Sequence, residues 1–230
     1  MRKYKHLFFD LDHTIWDFST NEKITLSELF DKYNLEKYFA NFDDFFSSYK
    51  PINADLWLKY RLGEIKKTDL SIGRFYNTFL TVGFDDHQAA TQFANDFVTI
   101  NPTKTSVIPH TFEVLDYLKP HYQMHIITNG FVETQHVKLE KSGLRPYFSK
   151  IFISEEIGYQ KPKRGFFEYA IKSCNARKRE SLVIGDSLEA DIEGAKNFGL
   201  DHVFFNPDGI AVDAPVFAEI RSLLELKTML

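Results

Sequence analysis

Short apolar runs that each stop abruptly at polar residues recur along this chain, and they constrain its fold more than any other feature. Four runs end in this way, at Asp10-Leu11-Asp12, Thr128-Asn129-Gly130, Ser154-Glu155-Glu156 and Gly185-Asp186-Ser187. Continuous apolar runs of this length predict strands that are buried on both faces of a parallel sheet. Residues 202–205 predict a fifth strand of the same kind.

Segments with helical periodicity separate these runs. They cover residues 111–119, 134–142, 165–175 and 191–198, and each ends at a recognisable stop signal, such as Gly143 or Gly199. Strands that alternate with helices predict βαβ units, so the fold class is α/β with a doubly wound parallel sheet. Ligands of such sheets bind outside the carboxyl ends of the strands.

Residues 18–100 interrupt the alternation. They are helix-like, rich in Phe, Tyr and Trp, and lack a convincing strand. We therefore predict a core made of residues 1–17 and 101–230, with residues 18–100 inserted as a helical module. Within that module we expect an aromatic core that includes Phe42, Phe45, Phe46 and Tyr49. Residues 215–230 predict a last amphipathic helix docked on the sheet.

Composition limits the partners and the compartment. The formal net charge is −4 and the basic residues are scattered, so no surface is expected to bind a nucleic-acid backbone. The N-terminal apolar run is too short for a signal peptide or a membrane span. A single cysteine, Cys174, excludes an internal disulfide. These features predict a cytoplasmic protein with a small substrate and no membrane partner.

Carboxylates and other polar groups converge on one edge of the predicted sheet. The group comprises Asp10, Asp12, Thr128, Lys161 and Asp186. Carboxylates at the ends of adjacent strands repel one another unless a cation lies between them, and hard oxygen ligands suit Mg²⁺. We predict Asp10 and Asp186 as metal ligands, with the backbone carbonyl of Asp12 as a third.

The two N-terminal carboxylates suggest complementary roles in phosphoryl transfer. Asp10, beside Mg²⁺, is placed to attack a phosphoryl group, since the metal offsets the repulsion between the anions. Asp12, two residues later, is predicted to protonate the leaving alkoxide and then to deprotonate the attacking water.

The remaining polar residues are predicted to hold the phosphate. Thr128 and the backbone N–H groups of Asn129 and Gly130 form an oxyanion nest, and Lys161 adds a fixed positive charge. Asp191 is expected to orient Lys161 or a metal-bound water. It could equally be an acidic residue that the helix N-terminus favours.

Four motifs resemble, in order, those of the haloacid dehalogenase (HAD) superfamily. They are Asp10-Leu11-Asp12-His13-Thr14, Thr128-Asn129-Gly130, Lys161-Pro162, and Gly185-Asp186-Ser187 with Asp191. The resemblance implies a Rossmannoid core with a helical cap, an aspartyl-phosphate intermediate and a Mg²⁺ cofactor. His13 departs from the pattern, because many members carry glycine there, and we assign it no role.

Other segments resemble the pyrimidine 5′-nucleotidase branch, which clears non-canonical nucleotides. They include residues 127–131, 139–144 and 153–158, and the stretch around Trp57 and Arg74. The resemblance implies substrates such as dUMP and dTMP. Trp57 and Phe131 are then candidates to stack on a base, and Arg74 to bind a polar group, although aromatic residues of a helical cap are more often core residues.

Four alternatives stay open at this point. A dehalogenase is disfavoured because a halide leaving group needs no proton, whereas this chain carries Asp12. A sugar-phosphate phosphatase or a phosphomutase would keep all four motifs. A non-catalytic binding module is disfavoured because none of the catalytic groups is missing. The sequence leaves the physiological substrate open and is compatible with a monomer or a small homo-oligomer.

Overall fold

The computed structural model describes residues 3–211 and 216–230. The chain divides into two compact units, a sheet unit of Met1–Ser19 with Thr105–Leu230 and a helical unit of Thr20–Lys104. The sequence predicted the insertion at residues 18–100. The helical unit begins two residues later and ends four residues later than this prediction.

The helical unit is built around aromatic side chains. Its helices are α1 (Phe18–Lys32), α2 (Phe42–Leu62), α3 (Lys67–Leu80) and α4 (His87–Ile100). The first two residues of α1 still belong to the sheet unit. Phe45 and Tyr49 are fully buried, and Phe42 and Phe46 pack partly buried against the same core. The expected aromatic core is therefore confirmed. Two of these helices begin at a side-chain cap. The Asn41 side chain accepts a hydrogen bond from the Asp44 N–H at the start of α2, and the Asp86 side chain accepts one from the Ala89 N–H at the start of α4.

The sheet unit contains, among the described residues, six parallel strands. In chain order they are β1 (His6–Phe9), β2 (Gln123–Thr128), β3 (Lys150–Ile153), β4 (Ser181–Gly185), β5 (Asp201–Phe205) and β6 (Ala218–Ile220). Their order across the sheet is β3-β2-β1-β4-β5-β6. All five predicted strands are present. Phe9, the last residue of β1, pairs with Ile126 of β2 and Ile184 of β4, so three predicted site segments begin side by side.

Helices cover both faces of this sheet. They are α5 (Thr111–Leu118), α6 (Val132–Lys141), α7 (Ser154–Ile157), α8 (Arg164–Ser173), α9 (Gly194–Phe198, preceded by a π-helical turn at Leu188–Glu193) and α10 (Leu226–Met229). Successive side chains of β1 point to opposite faces, so Leu7 and Phe9 join one apolar cluster while Phe8 joins the other. This burial on both faces explains the unbroken apolar run of β1.

The prediction of one amphipathic helix over residues 215–230 is wrong. Within the described part of this segment, Ala218–Ile220 forms β6, a tight helical turn follows at Leu223–Glu225, and only Leu226–Met229 is α-helical; Pro215 lies outside the described residues. The segment pairs with β5 and thereby covers what would otherwise be an open sheet edge. Within the described residues, no helix combines the length and apolar character that a membrane span requires.

Candidate active site

The carboxyl ends of β1, β2 and β4 bring the predicted catalytic groups together. Asp10 directly follows β1, Thr128 ends β2, and Asp186 directly follows β4. Because β1 lies between the other two strands, Asp10 occupies the middle of the group. Asp10 and Thr128 are buried and Asp186 is half-buried.

Lys161 lies between two carboxylates beneath this edge. Its side chain is 2% exposed, and its ammonium donates to Asp10 Oδ1 at 2.5 Å, Asp191 Oδ1 at 2.6 Å and the Ile127 carbonyl at 3.0 Å. Burial alone would lower the pKa of Lys161, but the two carboxylates raise this pKa above its usual value. The side chain therefore provides a permanent positive charge next to Asp10.

The segment that carries Lys161 is tied to β2 through Asn129. The Asn129 amide donates to the Lys161 carbonyl at 2.9 Å, and its oxygen accepts from the Lys161 N–H at 2.8 Å. The hydroxyl oxygen of Thr128 meanwhile accepts from the Gly130 N–H at 3.0 Å. The Thr128-Asn129-Gly130 turn thus positions Lys161 in addition to presenting its own polar groups.

Asp191 is buried within this network. Besides the bond from Lys161, its second oxygen accepts from the Ser187 N–H at 3.2 Å. A Cβ atom on Gly185 would lie only 2.4 Å from the Asp191 carboxyl group, so the strand end leaves room for that side chain only with glycine. Asp191 therefore contacts Lys161 directly, which is one of the two arrangements that the sequence left open.

The donor set suits a hard divalent cation. Oxygens of Asp10, Asp186 and Asp191, one from each, lie within 4.8 Å of one another, and the Thr14 hydroxyl donates to Asp186 at 3.1 Å. Burial raises the pKa of Asp10 well above its usual range, and burial with the nearby Asp191 carboxylate raises the pKa of Asp186 to about 7. One lysine cannot balance three clustered carboxylates, so a divalent cation such as Mg²⁺ fits here.

The side chain of Asp12 points to different partners. Its two oxygens accept from Lys138 Nζ at 2.6 Å and from Gln135 Nε2 at 3.0 Å. The next residue, His13, has a φ of 66°, a left-handed conformation that turns the chain after Asp12 and for which glycine has the lowest cost. The Asp12 carboxylate is thus bound by two side chains of α6.

Sequence reasoning missed Gln135 and Lys138. Both lie on α6, three residues apart and hence on one face. Lys138 is 3% exposed, and its ammonium lies 4.5 Å from the centroid of the Trp16 ring. Gln135 passes so close to Gly130 that a Cβ atom there would lie 1.5 Å from Gln135 Nε2. The spacing on α6 was visible in the sequence, but nothing in it linked these residues to Asp12.

The three candidate specificity residues have different surroundings. Phe131 is buried at the start of α6, directly after Gly130. Trp57 is half-buried in α2, with its ring edge-on to Tyr60. Arg74 in α3 is 4% exposed, and its guanidinium lies 4.9 Å and 4.8 Å from the ring centroids of Phe75 and Phe97. Their roles in substrate binding stay predictions.

Comparison with known proteins agrees with this arrangement. Residues 4–199 match the family model described as haloacid dehalogenase-like hydrolase. The chain belongs to this family. It is thus a hydrolase. The family resemblance that the sequence motifs predicted is confirmed.

Relatives of this HAD-like hydrolase cover nearly all of its length. It is 33% identical to the HAD-hydrolase YfnB of Bacillus subtilis, over 98% of this chain and 95% of that protein. It is 35% identical to the pyrimidine 5′-nucleotidase PynA of Streptococcus pneumoniae (89% and 84%) and 32% identical to the pyrimidine 5′-nucleotidase YjjG of Escherichia coli (99% and 98%).

Solved structures share the fold. A magnesium-bound crystal structure of YfnB superposes with a TM-score of 0.90 at 31% identity and covers 99% of each chain. The L-2-haloacid dehalogenase of Xanthobacter autotrophicus reaches a TM-score of 0.74 over 98% of each chain, but at 15% identity it shows likeness of fold alone. The predicted α/β fold class is therefore confirmed.

Proposed function

We propose that this HAD-like hydrolase is a Mg²⁺-dependent phosphomonoesterase that acts through an aspartyl-phosphate on Asp10, with pyrimidine nucleoside 5′-monophosphates as substrates. The observation that carries the chemistry is the contact of Lys161 with both Asp10 and Asp191, in a cluster of carboxylate oxygens that suits a divalent cation. Two nucleotidase relatives above 30% identity support the substrate class.

The first half-reaction would transfer the phosphoryl group to Asp10. A carboxylate oxygen of Asp10 attacks phosphorus, the ester oxygen departs, and Asp12 in its protonated form gives that oxygen a proton. A divalent cation held by Asp10, Asp186 and the Asp12 carbonyl would neutralise charge on the phosphoryl oxygens. Lys161 adds a fixed positive charge beside Asp10.

The second half-reaction would return Asp10 to its free form. Asp12, now a carboxylate, accepts a proton from water while the water oxygen attacks phosphorus. The bond from phosphorus to Asp10 breaks, inorganic phosphate leaves, and Asp12 carries the proton required for the next cycle. Thr128 with the N–H groups of Asn129 and Gly130 would hold the transferring oxygens in both steps.

Lys138 and Gln135 would set the position of this acid–base group. Between them they contact both oxygens of Asp12 and so fix the orientation of its carboxylate. Lys138 would thereby act as a positioning residue, because its ammonium touches Asp12 and not the reacting atoms.

Replacing Lys138 with Met should lower kcat by about 10²-fold and leave KM within about twofold, since a general acid or base contributes roughly 10²–10⁴-fold when well placed. The loss should be larger for a nucleoside monophosphate than for an aryl phosphate, whose leaving group needs no proton. Steady-state kinetics on both substrates would measure this, with Lys141→Met, an exposed lysine of α6, as the control. A changed KM with unchanged kcat would contradict the positioning role.

The substrate class is tested by phosphate release in Mg²⁺ from nucleoside monophosphates, sugar phosphates and an aryl phosphate. We expect kcat/KM for dUMP and dTMP to exceed that for purine nucleotides and sugar phosphates by about tenfold or more, a difference that one well-fitted pocket supplies. Faster release from a sugar phosphate would keep the chemistry and overturn the nucleotide assignment. Slow net release that a phosphorylated activator accelerates would indicate a phosphomutase instead.

A further inference from the structure

A second cluster of potential metal ligands lies away from the catalytic carboxylates. It consists of His6 on β1, His125 on β2 and Cys174 directly after α8, and we call it the His-His-Cys cluster. His6 is the first residue of β1, four residues before Asp10. At about 3.3 Å per residue, this corresponds to roughly 13 Å along the strand. The proposed phosphatase chemistry uses none of the three side chains.

The donor atoms of this cluster are close together. His6 Nδ1 lies 3.2 Å from His125 Nε2, and Cys174 Sγ lies 3.7 Å from His125 Nδ1. Taking one donor from each residue, the three atoms lie within 4.8 Å of one another. Zinc binds nitrogen at about 2.0–2.1 Å and sulfur at about 2.3 Å, so tetrahedral zinc ligands lie roughly 3.3–3.6 Å apart. His125 can offer only one of its two ring nitrogens to an ion, so ligation requires side-chain rotations that close separations of up to 4.8 Å to this range.

Burial acts in opposite directions on the two kinds of ligand. His6 and His125 are almost fully buried, while Cys174 is partly exposed and so leaves a route for an ion from solvent. Burial lowers the pKa of His125 to about 4, so its imidazole is neutral and has a lone pair available at neutral pH. Burial raises the pKa of the Cys174 thiol to about 11, so binding would have to displace the thiol proton.

Two nearby charges have opposite effects on such a site. The Glu180 carboxylate is near enough to His6 to favour positive charge there. The Lys150 ammonium donates to the Ser173 carbonyl. Its charge disfavours a cation at the cluster but favours the thiolate form of Cys174. A thiolate beside this lysine then offsets part of the charge that a divalent ion brings.

We propose that the His-His-Cys cluster is a second metal site, distinct from the carboxylate site, which binds a Zn²⁺-like divalent ion through two imidazoles and one thiolate. Mixed nitrogen and sulfur ligands select ions of this borderline class over Mg²⁺, which prefers oxygen. Three protein ligands leave a fourth position for water or another small ligand.

Cobalt(II) provides the direct test, because a cobalt–thiolate bond gives a near-ultraviolet charge-transfer band that carboxylate ligands do not give. The full-length protein, stripped of metal and kept in excess Mg²⁺, would be titrated with Co²⁺. We expect the band to saturate at one equivalent and to disappear when Zn²⁺ is added. Cys174→Ser should abolish it, His6→Asn should weaken Co²⁺ binding about tenfold or more, and His136→Asn, which changes an exposed histidine, should have no effect.

Thiol alkylation gives a second measurement that needs no variant. Cys174 is the only cysteine of the chain, so iodoacetamide reports on this thiol alone. At alkaline pH, where part of the thiol is ionised without metal, Zn²⁺ should slow the alkylation of the wild-type protein about tenfold or more, since a coordinated sulfur is a poorer nucleophile than a free thiolate. A wild-type protein without the cobalt band, or with alkylation that Zn²⁺ does not slow, would show a neutral hydrogen-bonded cluster and overturn the proposal. Neither readout depends on phosphatase activity.

Discussion

Replacing Asp10 with Asn should lower kcat for phosphate release by at least about 10⁴-fold, because the substitution removes the nucleophile of the proposed covalent mechanism. The amide keeps the shape of the side chain but does not form the acyl phosphate. The fold should remain intact, because Lys161 keeps its bond to Asp191. Since the substitution removes one of three crowded carboxylates, we expect the thermal midpoint to stay equal or to rise.

Phosphate release and thermal unfolding would be measured on the same preparations. Asp208→Asn is a suitable control, because it makes the same chemical change at an exposed turn. Activity in Asp10→Asn within about tenfold of the wild type would rule out Asp10 as the nucleophile. A large fall in thermal midpoint would instead show that Asp10 stabilises the fold. The kcat of the variant would then have to be corrected for the fraction of protein that is folded.

Replacing Lys161 with Met should reduce both activity and stability. Without its ammonium, Asp10 and Asp191 become buried carboxylates with no lysine partner, and breaking a buried ion pair in this way costs roughly 3–5 kcal/mol. The loss of a fixed charge beside the phosphoryl group should lower kcat by about 10²–10³-fold. Mg²⁺ should recover part of the stability, because a divalent ion neutralises the same carboxylates.

Urea denaturation with and without Mg²⁺ would measure the stability change, with Lys163→Met, an exposed lysine two residues away, as the control. A double-mutant cycle with Asp191→Asn makes the test specific. In the Lys161→Met background, removing the Asp191 charge should cost less than in the wild type, or should stabilise the protein. Strictly additive free-energy changes would mean that the two side chains do not interact.

Much of this fold was predictable because its strands are buried on both faces. Leu7-Phe8-Phe9 has no polar interruption, and such a run leaves few alternatives to a central parallel strand. Once β1, β2 and β4 are recognised as parallel neighbours, their following residues must lie at one edge. The proximity of Asp10, Thr128 and Asp186 therefore follows from topology.

The parts that sequence reasoning missed depend on tertiary contacts. The segment Ala218–Ile220 has weak local strand preference and becomes β6 because β5 offers an open edge. The link between Asp12 and Lys138 spans 126 positions and depends on how α6 packs on the sheet. Periodicity describes which face of a helix is polar, and it does not identify the partner of each polar group.

The central position of β1 has a consequence for synthesis on the ribosome. This strand leaves the ribosome before its two hydrogen-bonding neighbours, which begin at Gln123 and Ser181. The aromatic core of the helical unit, by contrast, is complete within Thr20–Lys104. At about 5–20 residues per second, the apolar β1 waits roughly 10–40 s for its second neighbour. During this interval the apolar residues Leu7-Phe8-Phe9 of β1 lack their second partner strand and are available to chaperones or to other nascent chains. The strand order that places Asp10 at the middle of the candidate site therefore also exposes the chain to aggregation.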